Sequence, residues 1–173
     1  MVLWKTANGQ GNYRNSDARL NAVRYILNTQ KMKSMVFGGA NLEHIDPHDP
    51  FDIAEQMDAV AVQFGKTNGV QLRHFIFSFD KYCQVSPQQV GQIAQSLAYF
   101  LGREYQTVFA VHENTDNLHF HLISNAISFI DGHRYAGSKA EFYALQNYMK
   151  QVLRSYGINT LIYSYKLQTD IDE

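Results

Sequence analysis

The chain has 173 residues, the size of about one ordinary domain, and 45% of them are apolar, enough to form one buried core. Its formal charge is −1 with 18% charged residues, which excludes a disordered polyelectrolyte and shows no overall basic excess. No apolar run reaches the roughly 18–20 residues of a membrane span, and the single cysteine, Cys83, excludes an internal disulfide and a cysteine-based zinc cage. We therefore expect one soluble domain in the cytoplasm, with no membrane insertion.

Charges are segregated along the chain. Residues 1–40 carry six Lys and Arg against one Asp, whereas residues 41–60 carry six Asp and Glu and no Lys or Arg. Segregation of this kind can leave one basic face on a nearly neutral protein. An uneven but merely solvated surface is an equally good interpretation.

The first half of the chain predicts two helices and then a strand. The first helix covers residues 16–28, where apolar side chains recur at near-helical spacing. The second begins at Asp52, where Glu55 completes a capping-box pattern, and ends near Gly65. An aromatic-rich strand follows at Leu72–Phe79.

The second half predicts strands at residues 106–112 and 118–129, after a helix over residues 86–102 that begins with Ser-Pro. A short strand is expected at 134–135 and an edge strand at 160–165. Between them, Ser138 and Glu141 form a second capping-box pattern, for a helix that ends near residue 157. Strands joined by hairpins, with helices between them, predict an α+β fold with a central antiparallel sheet and flanking helices.

Three histidines fall together in the predicted hairpin. His119 and His121 lie two residues apart in a strand and therefore share a face. If residues 113–118 form the loop, His112 lies across the ladder from His119. Three protein ligands with open positions are what a catalytic metal requires, although imidazole suits several divalent ions. For His74, in the preceding strand, we expect a packed or hydrogen-bonded role.

The pattern His112-x6-His119-Phe-His121 resembles the metal motif of the relaxase/mobilisation nuclease family. These HUH-type enzymes nick plasmid or conjugative-element DNA at a transfer origin. Residues 24–31 are similar to the family's segment with the nucleophilic tyrosine, and Asn125 falls where members often have an asparagine. The resemblance implies a palm-like sheet, with residues 1–173 as one catalytic domain at the N-terminal end of a longer protein.

The resemblance also implies a mechanism and a set of site residues. Tyr25, with Tyr13 in reserve, would attack the scissile phosphate and leave a 5′-phosphotyrosine and a free 3′-hydroxyl. The three histidines would hold Mn²⁺ or Mg²⁺, or Zn²⁺ or Ni²⁺ in a purified sample. The implied partners are single-stranded or locally melted origin DNA, accessory DNA-binding proteins and a coupling protein. DNA phosphates would be held by basic residues: Arg24, Lys31, Lys33, Lys66 and Arg73.

The acidic residues near the motif match the family pattern only in part. Many members carry an acidic residue two positions after the first motif histidine, where this chain has Asn114. Asp116 does match and is a candidate catalytic residue. Glu113 and Asn125 are expected to support the metal ligands. Two alternatives stay open: a three-histidine hydrolase that uses activated water, and a DNA-binding or recruitment module with a vestigial metal site.

Overall fold

The computed structural model describes residues 1–7, 10–159 and 162–166. Its strands are β1 (Val2–Ala7), β2 (Phe37–Ala40), β3 (Leu72–Phe79), β4 (Thr107–His112), β5 (His119–Asn125) and β6 (Ile162–Lys166). Its helices are α1 (Ala18–Ile26), α2 (Pro50–Gln63), α3 (Pro87–Leu101) and α4 (Lys139–Ser155). The strands form one sheet in the order β2-β4-β5-β3-β1-β6.

The sheet confirms the predicted α+β class, with one exception to its antiparallel pairing. Strands β2, β4, β5, β3 and β1 pair antiparallel with their neighbours, whereas β6 pairs parallel with β1 at the edge. The edge strand expected at 160–165 corresponds to β6, although residues 160 and 161 lie outside the described residues. β3 has the limits that its aromatic pattern predicts.

The helices cover both faces of the sheet. Helices α1 and α2 pack on one face, here called the α1/α2 face, with an apolar cluster that includes Val23, Met57 and Ile123. Helices α3 and α4 pack on the other face around Phe109 and Phe120. Because side chains alternate along a strand, His121 lies on the α1/α2 face while its neighbour Phe120 points into the opposite core.

Local capping signals account for most helix starts. The capping box of Ser138 and Glu141 is confirmed at α4, and Ser86 forms one with Gln89 at α3. The N-cap predicted for α2 was wrong by three residues: Asp49, not Asp52, caps the helix by accepting from the Asp52 N–H. A proline at the first helical position favours this earlier start.

The described helices contain no span long and apolar enough to cross a membrane.

The strands β1 and β2 were not predicted, and β5 ends at Asn125, four residues earlier than expected. Beyond it, the expected strand at 134–135 is reduced to one bridge between Ile127 and Arg134. In β2, a Cβ at Gly39 would overlap the Thr107 carbonyl oxygen, so only glycine lets β2 approach β4 this closely.

Candidate metal centre

Three histidine side chains converge on the α1/α2 face of the hairpin formed by β4 and β5. His112 ends β4 and His119 begins β5, and the two are directly paired in the ladder as their spacing predicts. His121 follows on the same face. One ligand atom from each histidine lies within 4.8 Å of the others, which is close enough for one ion to be shared among the three.

In His112 and His119, the ring nitrogen that does not face the other histidines donates a hydrogen bond, which orients the imidazole. His112 donates through Nε2 to the Ile26 carbonyl oxygen at 2.7 Å, which leaves the Nδ1 lone pair free. His119 donates through Nδ1 to the Asn117 carbonyl oxygen at 3.1 Å, which leaves Nε2 free. Such partners fix the tautomer and direction of a metal-ligating histidine.

His121 completes the set. Its Nε2 is buried and has no hydrogen-bond partner in the described part of the chain. An orphaned buried polar atom is costly in a folded protein, and a metal ion would satisfy it. The donor chemistry and the free lone pairs of all three residues therefore fit a divalent ion.

A fourth histidine, His74, is hydrogen-bonded to the ring nitrogen of His121 that does not face the other two ligands. His74 Nε2 lies 2.8 Å from His121 Nδ1, and His74 Nδ1 lies 2.8 Å from the Tyr13 hydroxyl oxygen. In the metal-binding tautomer, His121 donates to His74, which in turn donates to Tyr13. The hydrogen-bonded role expected for His74 is confirmed, but its partners could be known only from the placement of β3 beside β5.

Burial keeps this cluster neutral. Desolvation, with a smaller contribution from neighbouring charges, lowers the pKa of His74 and of His112 to about 4. Desolvation also lowers the pKa values of His119 and His121. Neutral imidazole is the form that binds metals, so the unprotonated cluster is ready for an ion at neutral pH.

Tyr25 lies beside the cluster from the last turn of α1. Its ring centroid is 5.5 Å from that of His121 and 6.2 Å from that of His112. The side chain is 50% exposed, so it is open to an incoming ligand. The ammonium of Lys31 lies 3.6 Å from the centre of the Tyr25 ring and adds positive charge next to it.

The loop that carries Lys31 is held by Glu113. The Glu113 carboxylate accepts from the backbone N–H and the hydroxyl of Ser34, and its own N–H donates to the Lys31 carbonyl oxygen. Glu113 therefore positions a cation near the histidines instead of orienting a ring directly. Asp116 is exposed in the hairpin loop, where His119 bonds to Asn117 and Thr115.

Asn125 does not lie beside the metal ligands, which corrects the expected role. It ends β5 at the opposite end of the strand from His119, and its amide binds Gln106 and the Met57 carbonyl oxygen. Its Oδ1 accepts from the buried Arg19 of α1, which also pairs with Asp58 at 2.6 Å. This network fastens α1, and with it Tyr25, to the sheet.

The predicted DNA-contact residues are divided between two regions. Arg24, Lys31 and Lys33 belong to α1 and the segment that follows it, near Tyr25. Lys66 follows α2, where its carbonyl oxygen accepts from Arg134. Arg73 lies on the opposite face of the sheet, which α3 and α4 cover, and its guanidinium donates to the Tyr135 and Ala136 carbonyl oxygens. The structure therefore does not bring Lys66 and Arg73 to the histidine cluster.

The fold and site together define an α+β domain with a three-histidine cluster that could hold a metal ion and an exposed tyrosine beside it. The family model described as "Relaxase: MobA/VirD2-like, nuclease domain" matches residues 25–158. The chain therefore belongs to the MobA/VirD2-like relaxase family, and the match covers most of its length, including all three histidines and Tyr25.

Individual proteins are also similar in sequence to this chain. "Group II intron-interrupted relaxase LtrB" of Lactococcus lactis subsp. cremoris is 27% identical over 145 residues, which cover 72% of this chain and 26% of that protein. "Protein rlx" of Staphylococcus aureus is 32% identical over 78 residues, 45% of this chain and 24% of that protein. The chain thus spans about a quarter of the length of these relatives.

A solved structure described as "Molecular Basis of Vancomycin Resistance Transfer in Staphylococcus aureus" is 15% identical to the chain with a TM-score of 0.46. The similarity covers 73% of this chain and 72% of that one.

Proposed function

We propose that this domain nicks one strand of single-stranded or locally melted DNA at a transfer origin and thereby initiates conjugative mobilisation. One observation supports this most strongly: an exposed tyrosine lies in ring contact with a cluster of neutral, metal-compatible histidines. The family membership supports the same chemistry, because the matched model describes a relaxase nuclease domain. The cytoplasm, where plasmid DNA is found, is the proposed location.

Tyr25 is the proposed nucleophile. Its oxygen forms a bond to phosphorus while the bond from phosphorus to the 3′-oxygen breaks, leaving a 5′-phosphotyrosine and a free 3′-hydroxyl. The phenol proton passes to water, and the departing 3′-oxygen takes up a proton. Because the phosphodiester is exchanged and not hydrolysed, a later 3′-hydroxyl can reverse the step and reseal the strand.

Tyr13 is the weaker candidate for this attack. Its hydroxyl is hydrogen-bonded to His74, and burial raises the pKa of this phenol to about 12. Burial therefore opposes formation of a phenolate at neutral pH, and the hydroxyl oxygen is already engaged as the acceptor of the His74 N–H. Tyr25 has no such bond in the described structure, and its side chain is half exposed.

His112, His119 and His121 are the proposed ligands of a divalent ion, with Mn²⁺ or Mg²⁺ as the working cofactor. When bound, such an ion supplies positive charge that stabilises the phosphate oxygens in the transition state. An all-imidazole set also accepts Zn²⁺ and Ni²⁺, so each metal belongs in the test.

Basic residues near Tyr25 are proposed to hold the DNA backbone. The Lys31 ammonium stabilises negative charge on the phosphate or on the attacking oxygen, and Arg24 and Lys33 contact flanking phosphates. Contacts by Lys66 and Arg73 remain part of the proposal for DNA that extends beyond the site. Accessory DNA-binding proteins and a coupling protein are proposed partners of the whole relaxase.

The test is a search for a covalent protein–DNA adduct. Labelled single strands that carry candidate transfer origins are incubated with the protein and each metal, and then separated under denaturing conditions. We expect a denaturant-resistant adduct that disappears with chelator and in Tyr25→Phe, but persists in the matched control Tyr13→Phe. Cleavage that leaves no adduct and that persists in Tyr25→Phe would favour the three-histidine hydrolase. Chelator-insensitive DNA binding without cleavage would favour the recruitment module.

A further inference from the structure

A pocket of about 440 Å³ opens next to the metal centre on the α1/α2 face. His74, His121 and Tyr25 line its inner side, so it begins where the reacting phosphate would lie. Its volume falls in the range of about 300–1,000 Å³ that is typical of small-ligand sites. The pocket can therefore admit one unpaired nucleoside but not a duplex.

Small residues create this space. Ala18 and Ala22 lie one turn apart on α1, and Ala7 at the end of β1 faces them from the sheet. Side chains of residues four apart on a helix lie on the same side, so the two alanines leave one continuous recess. Together with Ile76 they give the pocket apolar walls, against which the face of a nucleobase can pack.

Polar groups line the outer rim. Asp17 occupies the N-cap position of α1, yet its carboxylate does not cap the helix. Instead, Asp17 Oδ2 accepts from Asn21 Nδ2 at 2.8 Å, and both side chains line the pocket. A carboxylate fixed in this way keeps lone pairs for a donor on a ligand, and the Asn21 amide keeps its oxygen.

We propose that this pocket binds the nucleobase adjacent to the scissile phosphate, and that Asp17 and Asn21 select a base with an exocyclic amino group over thymine. The inference rests on the proposed nicking function. Phosphate contacts position a strand, whereas hydrogen bonds to base edges specify its sequence. Carboxylates accept from an exocyclic amino group such as that of cytosine, and asparagine pairs with adenine. Unpaired thymine has no amino group, and its one N–H donor lies between two carbonyl oxygens that repel a carboxylate.

The test measures base preference around the nick. A single-stranded DNA library with randomised sequence is incubated with protein and Mn²⁺, and both the tyrosine-linked and the released fragments are sequenced. We expect thymine to be depleted about tenfold at one position next to the nick. Asp17→Asn, which replaces an acceptor by an amide that can also donate, should largely remove this depletion and leave other positions unchanged.

Two further variants complete the design. Asn21→Ala should weaken the same preference, whereas Asn147→Ala, an exposed substitution on α4 across the sheet, should reproduce the wild-type profile. Because Asp17 and Asn21 are exposed, neither change threatens folding. Adducts whose base profile does not respond to Asp17→Asn or Asn21→Ala would refute the pocket assignment alone. A complete lack of adducts in wild-type protein would refute the nicking function, and the pocket assignment with it.

Discussion

The buried, neutral state of His74 should make the stability of the metal-free protein depend on pH. His74 is 4% exposed, and burial lowers its pKa to about 4, against about 6.5 in an unfolded chain. Between these two pH values the unfolded chain binds the additional proton, so acidification favours unfolding. The contribution of His74 to stability is complete above pH 6.5 and is lost as the pH falls toward 4.

The magnitude follows from the two pKa values. Each pKa unit corresponds to about 1.36 kcal/mol, so His74 accounts for a loss of roughly 3 kcal/mol in the free energy of unfolding between pH 6.5 and 4. We propose to measure urea unfolding of chelator-treated wild type and His74→Gln across this range. His112 and His119 titrate in the same direction in both proteins, so the difference between the two curves reports His74 together with its hydrogen bond to His121.

The expected result is a gap between wild type and His74→Gln that shrinks by roughly 3 kcal/mol as the pH falls from 7.5 to 4. His48→Gln, at an exposed loop position, is the matched control and should follow the wild-type curve. Parallel curves for wild type and His74→Gln would refute the argument that burial of a neutral His74 is costly in acid.

Two further predictions concern the metal and the helix that carries Tyr25. Mn²⁺, Zn²⁺ or Ni²⁺ at about 100 times its Kd should stabilise the wild type by roughly 2.7 kcal/mol in thermal unfolding, and His119→Ala should abolish this gain whereas His44→Ala should not. Arg19→Gln should destabilise the protein by about 2 kcal/mol or more in urea, because it leaves Asn125 and Asp58 without their buried partner. It should also lower the rate of adduct formation without changing metal affinity, and an unchanged rate would contradict the positioning role of Arg19.

The parts of the site that the sequence could predict depend on local geometry. The pairing of His112 with His119 follows from a six-residue loop and the two-residue period of a strand. The Ser-Pro start of α3 and the capping box of α4 are likewise short-range, since each involves residues at most three positions apart. No knowledge of the rest of the fold is needed to place either feature.

The features that escaped prediction depend on contacts between distant segments. His74 lies 47 residues from His121 and shares its face only because β3 pairs with β5. The strand β2 has the sequence Phe-Gly-Gly-Ala, which carries no strand pattern, and it forms because β4 offers an open edge. The role of Asn125 was misjudged for the same reason, because its partner Arg19 lies 106 residues away.

The contacts in the structure explain part of the uneven charge distribution along the chain. In the acidic segment 41–60, Asp49 caps α2 and Asp58 pairs with Arg19, so part of its negative charge supports the scaffold. The histidine cluster is neutral, and the Lys31 ammonium lies over the Tyr25 ring. If Lys31, Arg24 and Lys33 hold the DNA backbone as proposed, about three phosphate contacts predict modest affinity with a shallow salt dependence. Under the proposed function, selection of an origin would then depend on contacts with bases, and the pocket beside Tyr25 offers polar groups for such contacts.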